Sequence, residues 1–591
     1  MRSYKPPTSL TAAALSVLAG AALLAPVALG SASSTAAAAQ AAPPAGTGPI
    51  AKLWSWNWNS VARECTDVLG PAGYGTVQVS PPHDSMSKGG SVWWDVYQPA
   101  RYTLTSKFGD ENAFRNMIRA CHDAGVKVHA DAVVNHMTGQ GSTSYGGHSF
   151  GKYSYPGLYS AADFHTSPTC TINDSDYKND GWRVQNCELV GLADLDTGSE
   201  YVRGQIAGYL NRLTSLGVDG FRIDAAKHIP PGDLAAIKAR LTGSPYLHLE
   251  VIHGDGEAVQ PGQYTGIGDV HEFVFGRKMK EQFTGRIHWL ETFGQSWGLS
   301  VPGDKAVTFV DNHDTERNGS TLNYKYGDAY RLANVFMLAW PYGTPRVYSG
   351  FTWSDKEAGP PSANGGFVTD TDCGDGRWTC FHRRMTGMVG FHNAVAGTPV
   401  AHWYDDGDNL IAFSRGSKGW VAINNGTGSV TRTFTTGLPA GTYANVAGSG
   451  SVSVAADGTA SVTVPARAAV AIRTGNGPTP TPTPTPSPSP TATSGRAAVS
   501  FNANVTTTWG QNVFVVGDAA ELGAWNPADA VALSSAAYPV WKTTVNLPAG
   551  RTIAYKYIKK NPDGSVTWES DPNRSFTTPA GGTATRNDTW R

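Results

Sequence analysis

The sequence predicts an α/β fold: a (β/α)8 barrel with an inserted domain, followed by an all-β domain and a linker-tethered β-sandwich module. Helix–glycine–strand units recur over roughly 350 residues, which is the length and pattern of a parallel barrel with insertions. About 80 residues separate two of the predicted strands, more than one crossover helix needs, so an extra domain is expected there. A proline-rich run then divides the 591-residue chain before its last β-rich region.

The barrel is assigned to residues 43–393. Apolar residues recur with helical spacing, a glycine follows, and a short apolar strand comes next. The predicted helices are Phe114–Ala124, Tyr201–Leu216 and Leu234–Leu241, and the predicted strands are Val126–Val134, Val218–Ile223, Tyr246–Ile252 and Ala306–Val310. The stretch after Asn135 is rich in Gly, Tyr, Ser and Asp, and we expect it to form a protruding domain over about residues 137–192.

The pattern changes at residue 394, where short strands begin to alternate with Gly/Asn/Asp turns, so residues 394–474 are predicted to form an antiparallel domain. Residues 475–496 form the linker, because the alternating prolines from Pro478 to Pro490 forbid a helix and favour polyproline II. Residues 497–591 again have an all-β pattern. The strands predicted in these two domains are Asn409–Ser414, Gly419–Asn424, Ser451–Ala455, Ala468–Ile472, Gln511–Val516, Trp541–Leu547, Ile553–Ile558 and Val566–Glu569.

Residues 1–42 have the pattern of a secretory signal peptide. Arg2 and Lys5 precede an apolar stretch from Leu10 to Leu29, and overlapping cleavage sites follow from about Ala39 to Ala42. A membrane anchor is the alternative, but Pro26 and the small residues beyond it argue against one. We therefore expect a secreted, extracellular protein in which disulfides are permitted.

The composition excludes two classes of partner and favours another. The formal net charge is −1, from 46 basic and 47 acidic residues, so neither nucleic acid nor an anionic membrane is an expected partner. The 18 Trp and 23 Tyr residues suit stacking on sugar rings, although most aromatic side chains fill cores. The six cysteines allow about 15 pairings, of which Cys373 with Cys380 would close a short loop.

Four predicted strands are apolar along their length and end in polar residues. Asp131 lies in the first, Asp224 and Glu250 follow the next two, and the fourth runs into a segment that ends at Asp314. The strand C-termini of a β/α barrel meet at one face, so these carboxylates should converge. A structural ion-pair network is the alternative for one such strand, but four together favour a functional site. Hydrolysis of a glycosidic bond needs a carboxylate and a carboxylic acid around the anomeric carbon, and a third carboxylate can stabilise positive charge there.

Basic and imidazole side chains accompany these carboxylates. Arg222 lies two residues before Asp224 and should share its strand face, where the arginine charge would keep Asp224 ionised. His136, His228 and His313 offer neutral donors for sugar hydroxyls.

Five segments that carry these residues are similar to the signature regions of the α-amylase family of glycoside hydrolases. They run from Asp131 to His136, from Gly220 to His228, from Leu247 to Val251, from Phe309 to Asp314 and from Gly191 to Leu195. Five such regions in this order are highly specific, and the resemblance covers about Ile50 to Arg473. The sequence resembles secreted bacterial members of the animal-like branch through Ile50 to Trp56, Val77 to Pro82, Trp93-Trp94 and Tyr97 to Pro99.

The resemblance implies a role for each of three carboxyl groups. Asp224 would be the nucleophile that forms a covalent glycosyl-enzyme, and Glu250 would be the general acid and then the base. Asp314 would bind sugar hydroxyls and support the distorted ring. Because the family retains the anomeric configuration, Asp224 and Glu250 should lie about 5–5.5 Å apart. The insertion would be the family's B domain, and the β segment after the barrel its domain C.

The resemblance also implies contacts with the sugar. Tyr97 would stack under the ring beside the cut bond, and of Trp93 and Trp94 we expect one to be buried. The implied substrate contacts are Trp94, Tyr97, Gln98, His136, Arg222, Lys227, His228 and His313. The implied disulfides are Cys65–Cys121, Cys170–Cys187 and Cys373–Cys380.

Two ions are expected from the resemblance. A structural calcium would be bound by the Asn135 side chain, the Asp194 carboxylate and the backbone carbonyls of Gln185 and His228. Oxygen ligands suit Ca²⁺, although turn capping is the alternative for Asn135 and Asp194. Chloride is a possible second ion, because some members of the animal-like branch bind it.

The chloride positions correspond to Arg222, Asn312 and Arg346, and a chloride there would tune the acid Glu250. The alternative is that Arg346 pairs with a carboxylate. After Asp314 the sequence departs from the animal pattern, because the expected glycine-rich mobile loop is shortened to residues 315–320.

The last region is similar to family 20 starch-binding modules. The matching stretches are Gly517 to Pro527, Tyr555 to Tyr557, Trp568 to Asn573 and Asp588 to Arg591. The resemblance implies a sugar platform of Trp525 and Trp568. The implied polar contacts are Lys556, Glu569 and Asn573, and a second site is expected near Tyr538.

The sequence as a whole predicts a monomeric, endo-acting hydrolase of starch, amylose, amylopectin, glycogen and malto-oligosaccharides. One alternative is a glucan transglycosylase, which would use the same three carboxylates. The animal-like segments and the absence of further β domains in the sequence favour hydrolysis over transfer. The other alternative is a non-catalytic starch-binding protein, against which the presence of Asp224, Glu250 and Asp314 argues.

Overall fold

The structure is a computed structural model that describes residues 48–166, 169–294, 296–475, 496–508, 511–527, 530–561, 565–579 and 582–591. The predicted signal peptide, residues 1–42, and nearly all of the predicted linker, residues 475–496, lie outside the described residues. The chain divides into two compact units, Met1–Thr481 and Pro482–Arg591. Among the described residues, none of the helices has the length and apolar character needed to cross a bilayer.

A closed barrel of parallel strands forms the centre of the first unit, which confirms the predicted fold class. Each strand pairs with the next one along the chain, and the last closes on the first through Ile50 and Arg346. The barrel strands are β1 (Ile50–Leu53), β2 (Thr76–Val79), β3 (Lys127–Ala132), β4 (Gly220–Ile223), β5 (Tyr246–Leu249), β6 (Asp269–Glu272), β7 (Ala306–Thr308) and β8 (Thr344–Ser349).

Helices on the outside connect the strands. They are α1 (Trp58–Glu64), α2 (Glu111–Asp123), α3 (Glu200–Ser215), α4 (Pro231–Lys238), α5 (Phe273–Thr284), α6 (Asp328–Ala339) and α7 (Thr386–Ala394). Only the short 3-10 turn Pro261–Tyr264 stands between β5 and β6. Three barrel strands end earlier than predicted, β3 at Ala132, β5 at Leu249 and β7 at Thr308, because the residues beyond them leave the ladder to form the loops that carry polar side chains.

The interior of the barrel is unusually polar. Asp131 on β3 lies opposite Arg222 on β4, which lies opposite His248 on β5. Lys52 on β1 and Arg346 on β8 also point into this layer and are almost fully buried. Buried charges are costly unless they are paired, so this layer needs a reason beyond packing.

The long insertion lies between β3 and α3, where the sequence predicted an extra domain. It contains a small hairpin, Ser142–Thr143 with Ser149–Phe150, and two short helices, Asp176–Asn179 and Gly181–Asn186. Its disulfide joins Cys170 to Cys187. The structure also contains Cys65–Cys121 and Cys373–Cys380, so the three implied disulfides are confirmed.

An antiparallel β domain follows α7. Its strands are β9 (Val400–Asp405), β10 (Leu410–Arg415), β11 (Gly419–Asn424), β12 (Val430–Thr435), β13 (Gly441–Ala444), β14 (Ser451–Val454), β15 (Thr459–Val464) and β16 (Ala468–Arg473). Strands β9, β10, β11 and β16 form one sheet, while β12 pairs with β15 and β13 with β14. Strands β14 and β15 alternate buried and exposed residues because one face of each covers the core, whereas β10 and β11 are buried along their whole length.

The second unit has two facing β-sheets around its own core. Its strands are β17 (Arg496–Asn504), β18 (Asn512–Gly517), β19 (Val531–Ala532), β20 (Ser534–Ala537), β21 (Val540–Pro548), β22 (Thr552–Lys560), β23 (Val566–Trp568), β24 (Arg574–Thr577) and β25 (Gly582–Thr589). One sheet has the order β20-β21-β17-β25; the other has β19-β18-β22-β23, with β24 also on β22. This agrees with the predicted sandwich.

Candidate active site

A cleft of about 710 Å³ opens at the C-terminal ends of the barrel strands. The three predicted catalytic carboxyl groups, Asp224, Glu250 and Asp314, all lie on its wall. The side chains predicted to contact sugar that also line it are Trp94, Tyr97, Gln98, His136 and His313. The strand ends that the sequence singled out therefore do converge in one concave, partly apolar site.

One guanidinium joins the carboxylates at the base of the cleft. Nη1 of Arg222 donates to Oδ1 of Asp224 at 2.6 Å and to Oδ1 of Asp131 at 2.7 Å. Its Nη2 donates to Oε1 of Glu250. The other oxygen of Glu250 accepts from the backbone N–H of Ala225 at 3.1 Å. Arg222 is 1% exposed, so these ion pairs lie in a medium that screens charge weakly.

Burial and neighbouring charges shift the pKa values of the three carboxyl groups in different directions. Burial raises the pKa of Asp224 well above its usual range, and it raises the pKa of Asp314 to about 6. Burial opposes ionisation of Glu250 as well, but Arg222 and the N–H of Ala225 lower its pKa. We expected Arg222 to keep Asp224 ionised; in the free site its charge is divided among three carboxylates, so Asp224 is the favoured carrier of a proton.

His313 is held between two aromatic rings above this network. Its ring stacks on Tyr97, with centroids 5.0 Å apart and planes inclined by 9°, and on Trp54 at 5.1 Å. Lys52 reaches it from inside the barrel, with Nζ 2.9 Å from Nδ1. The hydroxyl of Tyr97 donates to Asp131 at 3.2 Å. Sequence reasoning missed Lys52, although a lysine inside an otherwise apolar strand was a visible signal.

Three predicted sugar contacts lie away from the cleft surface. Arg222 lies beneath the carboxylates, and the ammonium of Lys227 binds the carbonyl of Ile252 at 2.6 Å and the Glu257 carboxylate. Nδ1 of His228 lies 2.8 Å from the carbonyl oxygen of Val184. These side chains are occupied by protein partners, and their direct contact with sugar stays a prediction.

The expectation that one of Trp93 and Trp94 is buried is wrong. Both are half-buried, and both line the cleft. Trp93 packs its edge on Trp54 and donates from Nε1 to the carbonyl of Lys356 at 3.0 Å. Both side chains line the cleft instead of filling the core, because the loop after Asp84 places them above the C-terminal ends of the barrel strands.

Hydrogen bonds connect the four residues proposed to bind calcium in two separate groups, Asn135 with Asp194, and Gln185 with the segment around His228 through Tyr264. The carboxylate of Asp194 is hydrogen-bonded by the Asn135 side chain, and its Oδ2 lies 2.7 Å from Nδ1 of His165. The side-chain amide of Gln185 donates to the hydroxyl of Tyr264 at 2.9 Å. That hydroxyl donates to the carbonyl oxygen of Ile229 at 2.8 Å and lies 3.2 Å from that of Lys227, the residues on either side of His228.

Asn135 and Asp194 supply oxygen donors of the kind that a hard divalent cation prefers. Burial raises the pKa of Asp194 to about 7, so its carboxylate is poorly compensated by the protein alone. The described residues contain no cluster of three or more His, Cys, Asp or Glu side chains that could hold a metal. The set implied by the resemblance has one carboxylate, with amide and carbonyl oxygens for the rest, which is acceptable for Ca²⁺.

Arg346 does not pair with a carboxylate. Its Nη1 lies 3.1 Å from Oε1 of Gln78 and 3.1 Å from Nε2 of His271, while Nε and Nη2 are buried without a partner among the described residues. Burial, with Arg222 nearby, lowers the pKa of Arg346 to about 9. Oδ1 of Asn312 caps the turn that follows by accepting from two backbone N–H groups. The uncompensated guanidinium fits an anion.

The shortened segment after Asp314 is folded as a helical turn, Thr315–Asn318. The guanidinium of Arg317 lies among four aromatic rings, with its carbon 4.7–5.7 Å from their centroids. The rings belong to Trp54, Trp93, Phe351 and Trp353. Arg317 also donates to the carbonyl of His313 at 3.1 Å. Sequence reasoning did not find this contact, because the four rings come from distant segments.

The second unit places the predicted sugar-binding residues in different environments. Trp568 is 40% exposed, Trp525 is half-buried and Asn573 is exposed. The ammonium of Lys556 pairs with the Asp571 carboxylate. Tyr538, the proposed centre of a second site, is 52% exposed.

Glu569 cannot act as the predicted polar contact. Its side chain is fully buried and pairs with Arg574 at 2.8 Å. Its Oε1 also accepts from the backbone N–H of Tyr557 at 2.8 Å. Both carboxylate oxygens are therefore used inside the module, because β23 and β24 flank β22 and turn this side chain inward.

Comparison with known proteins decides the family. Three family models match: the α-amylase catalytic domain over residues 73–249, the α-amylase C-terminal all-β domain over 401–475, and a starch-binding domain over 496–588. An α-amylase of Streptomyces violaceus is 52% identical over 98% of this chain and 99% of its own length. The chain belongs to the α-amylase family of glycoside hydrolases.

Other α-amylase relatives agree with this membership. An α-amylase of Thermomonospora curvata is 45% identical over 97% of this chain and 99% of its own length. Among solved structures, a variant of the α-amylase I of Eisenia fetida in complex with maltohexaose superimposes with a TM-score of 0.69 and 38% identity. That alignment covers 73% of this chain and 98% of the other. The α-amylase catalytic match includes the insertion and Asp224.

Proposed function

We propose that this chain is a secreted, monomeric α-amylase that cleaves internal α-1,4-glucosidic bonds of starch, amylose, amylopectin, glycogen and malto-oligosaccharides with retention of configuration. The observation that carries the proposal is the bridging of Asp224 and Glu250 by Arg222 on the wall of a cleft that also contains Asp314. Two carboxyl groups held by one guanidinium are close enough to act on the same bond.

The first chemical step breaks the glycosidic bond. Glu250 gives its proton to the leaving oxygen, and a carboxylate oxygen of Asp224 attacks the anomeric carbon from the other side of the ring. The products are the shortened glucan with a new hydroxyl and a covalent glycosyl-enzyme. Asp314 stabilises the positive charge that develops on the ring between these states.

The second step restores the enzyme. Ionised Glu250 takes a proton from water, the water oxygen attacks the anomeric carbon, and the bond to Asp224 breaks. Two inversions at the same carbon give net retention.

Substrate binding supplies the proton arrangement that the first step needs. Positive charge developing beside Asp224 favours its anionic form, and the glycosidic oxygen beside Glu250 favours a protonated acid there. In the complex we therefore expect a proton to lie on Glu250 rather than on Asp224. Tyr97, whose ring stacks on that of His313, supports one face of the bound sugar ring.

Two ions belong to the proposal. Asn135, Asp194 and the carbonyls of Gln185 and His228 would hold Ca²⁺, which supplies positive charge that ties the insertion to the barrel. Arg222, Asn312 and Arg346 would hold chloride, whose negative charge offsets the two guanidinium groups and raises the pKa of Glu250.

The second unit is proposed to tether the enzyme to insoluble starch. Its exposed Trp568 and Tyr538 offer sugar-stacking faces. Because this unit belongs to the same chain as the barrel, its binding to starch would raise the local concentration of glucan chains at the cleft.

The deciding experiment compares the wild-type enzyme with Asp224→Asn. We expect hydrolysis of soluble starch to fall by about 10⁴-fold or more while granule binding persists, because only the nucleophile is lost. Retained turnover would refute the role of Asp224. Time-resolved product chromatography on amylose, with and without calcium and chloride, tests the reaction class and both ions. Cyclic or elongated glucans would show a transglycosylase instead.

Secretion is tested separately. We expect the protein recovered from the medium of an expressing cell to begin near residue 40, and N-terminal sequencing would show this. Recovery of an uncleaved chain bound to membranes would contradict the signal-peptide interpretation.

A further inference from the structure

We propose that Lys52 is a positioning residue that fixes the tautomer of His313, so that this histidine presents an N–H donor to the sugar in the cleft. The inference rests on the proposed function, since it concerns the same site. It adds a residue from β1, a strand that contributes none of the catalytic carboxylates.

The contact is formed inside the barrel. Lys52 is 2% exposed, and its Nζ lies 2.9 Å from Nδ1 of His313. The two residues are 261 positions apart in the chain. A hydrogen bond between two buried side chains is strongly directional, because neither group can turn to water instead.

The chemistry of the two groups decides where the proton lies. While Lys52 is an ammonium it has three N–H donors and no acceptor, so Nδ1 of His313 is then the unprotonated ring nitrogen. Burial and the nearby positive charges, Lys52 first among them, lower the pKa of His313 well below its usual range, so the ring is neutral. A neutral imidazole with a bare Nδ1 carries its proton on Nε2.

The rings around His313 prevent it from flipping. Tyr97 and Trp54 stack on its ring, and Trp93 packs at its edge with centroids 5.7 Å apart. Nε2 lies 3.4 Å from Oδ2 of Asp314, and both residues line the cleft. The N–H on Nε2 is thus available both to a sugar hydroxyl and to the carboxylate of Asp314.

Burying a lysine at this position has an electrostatic cost. Burial, followed by the charges of Arg346 and Arg222, lowers the pKa of Lys52 to about 7, while Asp131 and Asp314 act to raise it. An apolar side chain of similar length would avoid this cost. The competing role for Lys52 is a direct electrostatic effect on Glu250 and Asp314, and the experiment must separate the two.

The test is a double-mutant cycle of Lys52→Met with His313→Gln in the full-length protein. Glutamine carries an N–H donor that does not depend on a tautomer, so it removes the need for Lys52. We expect Lys52→Met alone to lower kcat on amylose by about tenfold with KM changed less than about twofold. In the His313→Gln background the same change should lower kcat by less than about twofold. Equal losses in both backgrounds would overturn the proposal and favour the direct effect.

The control is Lys127→Met, which removes an exposed lysine from the start of β3 and should leave kcat unchanged. If Lys52→Met lowers the melting temperature too far for assay, Lys52→Gln takes its place in the cycle.

A second measurement needs no substrate. In protein labelled with ¹⁵N-histidine, the His313 signals are those lost in His313→Gln. We expect Nδ1 at the shift of a bare imidazole nitrogen and Nε2 at that of a protonated one; the opposite pattern would overturn the proposal. Because this readout is independent of turnover, an enzyme that failed to hydrolyse starch would contradict the proposed function and leave the tautomer result intact.

Discussion

The guanidinium of Arg222 lies 2.6 Å from the carboxylate of Asp224, two residues further along the chain. Side chains two positions apart in a strand project from the same face, so the local sequence already predicts this contact. The same guanidinium also binds Asp131 on β3 and Glu250, which directly follows β5. One buried cation therefore holds two of the three proposed catalytic carboxyl groups, Asp224 and Glu250, beside each other.

Arg222→Lys should lower kcat/KM by about 10²–10³-fold. A lysine ammonium is a single point charge and cannot span three carboxylates as a planar guanidinium does. The repulsion left between Asp224 and Glu250 would also raise their pKa values and displace the acid limb of the pH profile to higher pH. Steady-state kinetics across pH on soluble starch would measure both effects, and wild-type activity at neutral pH would contradict the bridging role.

Arg346→Gln should abolish any response of the rate to chloride. The wild-type guanidinium has two buried N–H groups without a partner among the described residues, and an anion would satisfy them. Without chloride, the variant should be no slower than the wild type. The measurement is kcat as a function of added chloride, starting from a halide-free buffer. An unchanged chloride response in the variant would show that Arg346 does not bind the anion.

Arg317→Met should loosen the segment after Asp314. The change removes the stacking of the guanidinium on four rings and its bond to the His313 carbonyl, which together stabilise the fold by about 1–3 kcal/mol. We expect a lower melting temperature and a lower kcat. The control is Lys325→Met, since this exposed side chain lies on the ring of Trp353 and touches no catalytic group. Equal effects of both changes would show that the cluster is merely structural.

Trp568→Ala and Glu569→Gln should separate binding from folding in the second unit. Loss of the exposed ring should weaken granule binding about tenfold without changing the hydrolysis of soluble starch. Loss of the Glu569 charge should instead lower the melting temperature of this unit, because Arg574 stays buried beside it. Granule-binding isotherms and calorimetry distinguish the two. Weaker binding by a fully stable Glu569→Gln module would restore the role that the sequence suggested.

Glu64→Gln should reduce stability at neutral pH more than in acid. Burial opposes ionisation of Glu64, but hydrogen bonds from Arg383 and His382 lower its pKa from 4.5 to about 2. A depressed carboxyl pKa stabilises the folded state above pH 4.5, and this contribution is lost as the pH falls toward 2. It amounts to about 3 kcal/mol at pH 7. Denaturant unfolding at about pH 7 and pH 3 should show the difference between wild type and variant shrinking by more than half, and a pH-independent difference would contradict this.

Local sequence patterns were enough to predict the barrel, the insertion, the two β domains and the strand ends that carry Asp224, Glu250 and Asp314. Helical and strand periodicity, glycine punctuation and polar strand ends are local features, and a parallel barrel must bring its strand ends to one face. The disulfides also followed from the sequence, through the resemblance to the family. What the local patterns could not specify was the partner of each buried charge.

The partners of these buried charges are set by the folded arrangement of the chain. Lys52 meets His313, Arg317 enters a cage of four rings, and Glu569 turns into its module instead of toward a sugar. Each contact joins segments whose spacing depends on closure of the barrel or on the order of strands in a sheet. No local preference encodes that spacing, and a buried charge takes whichever partner the closed fold places beside it, because water cannot compete for it there.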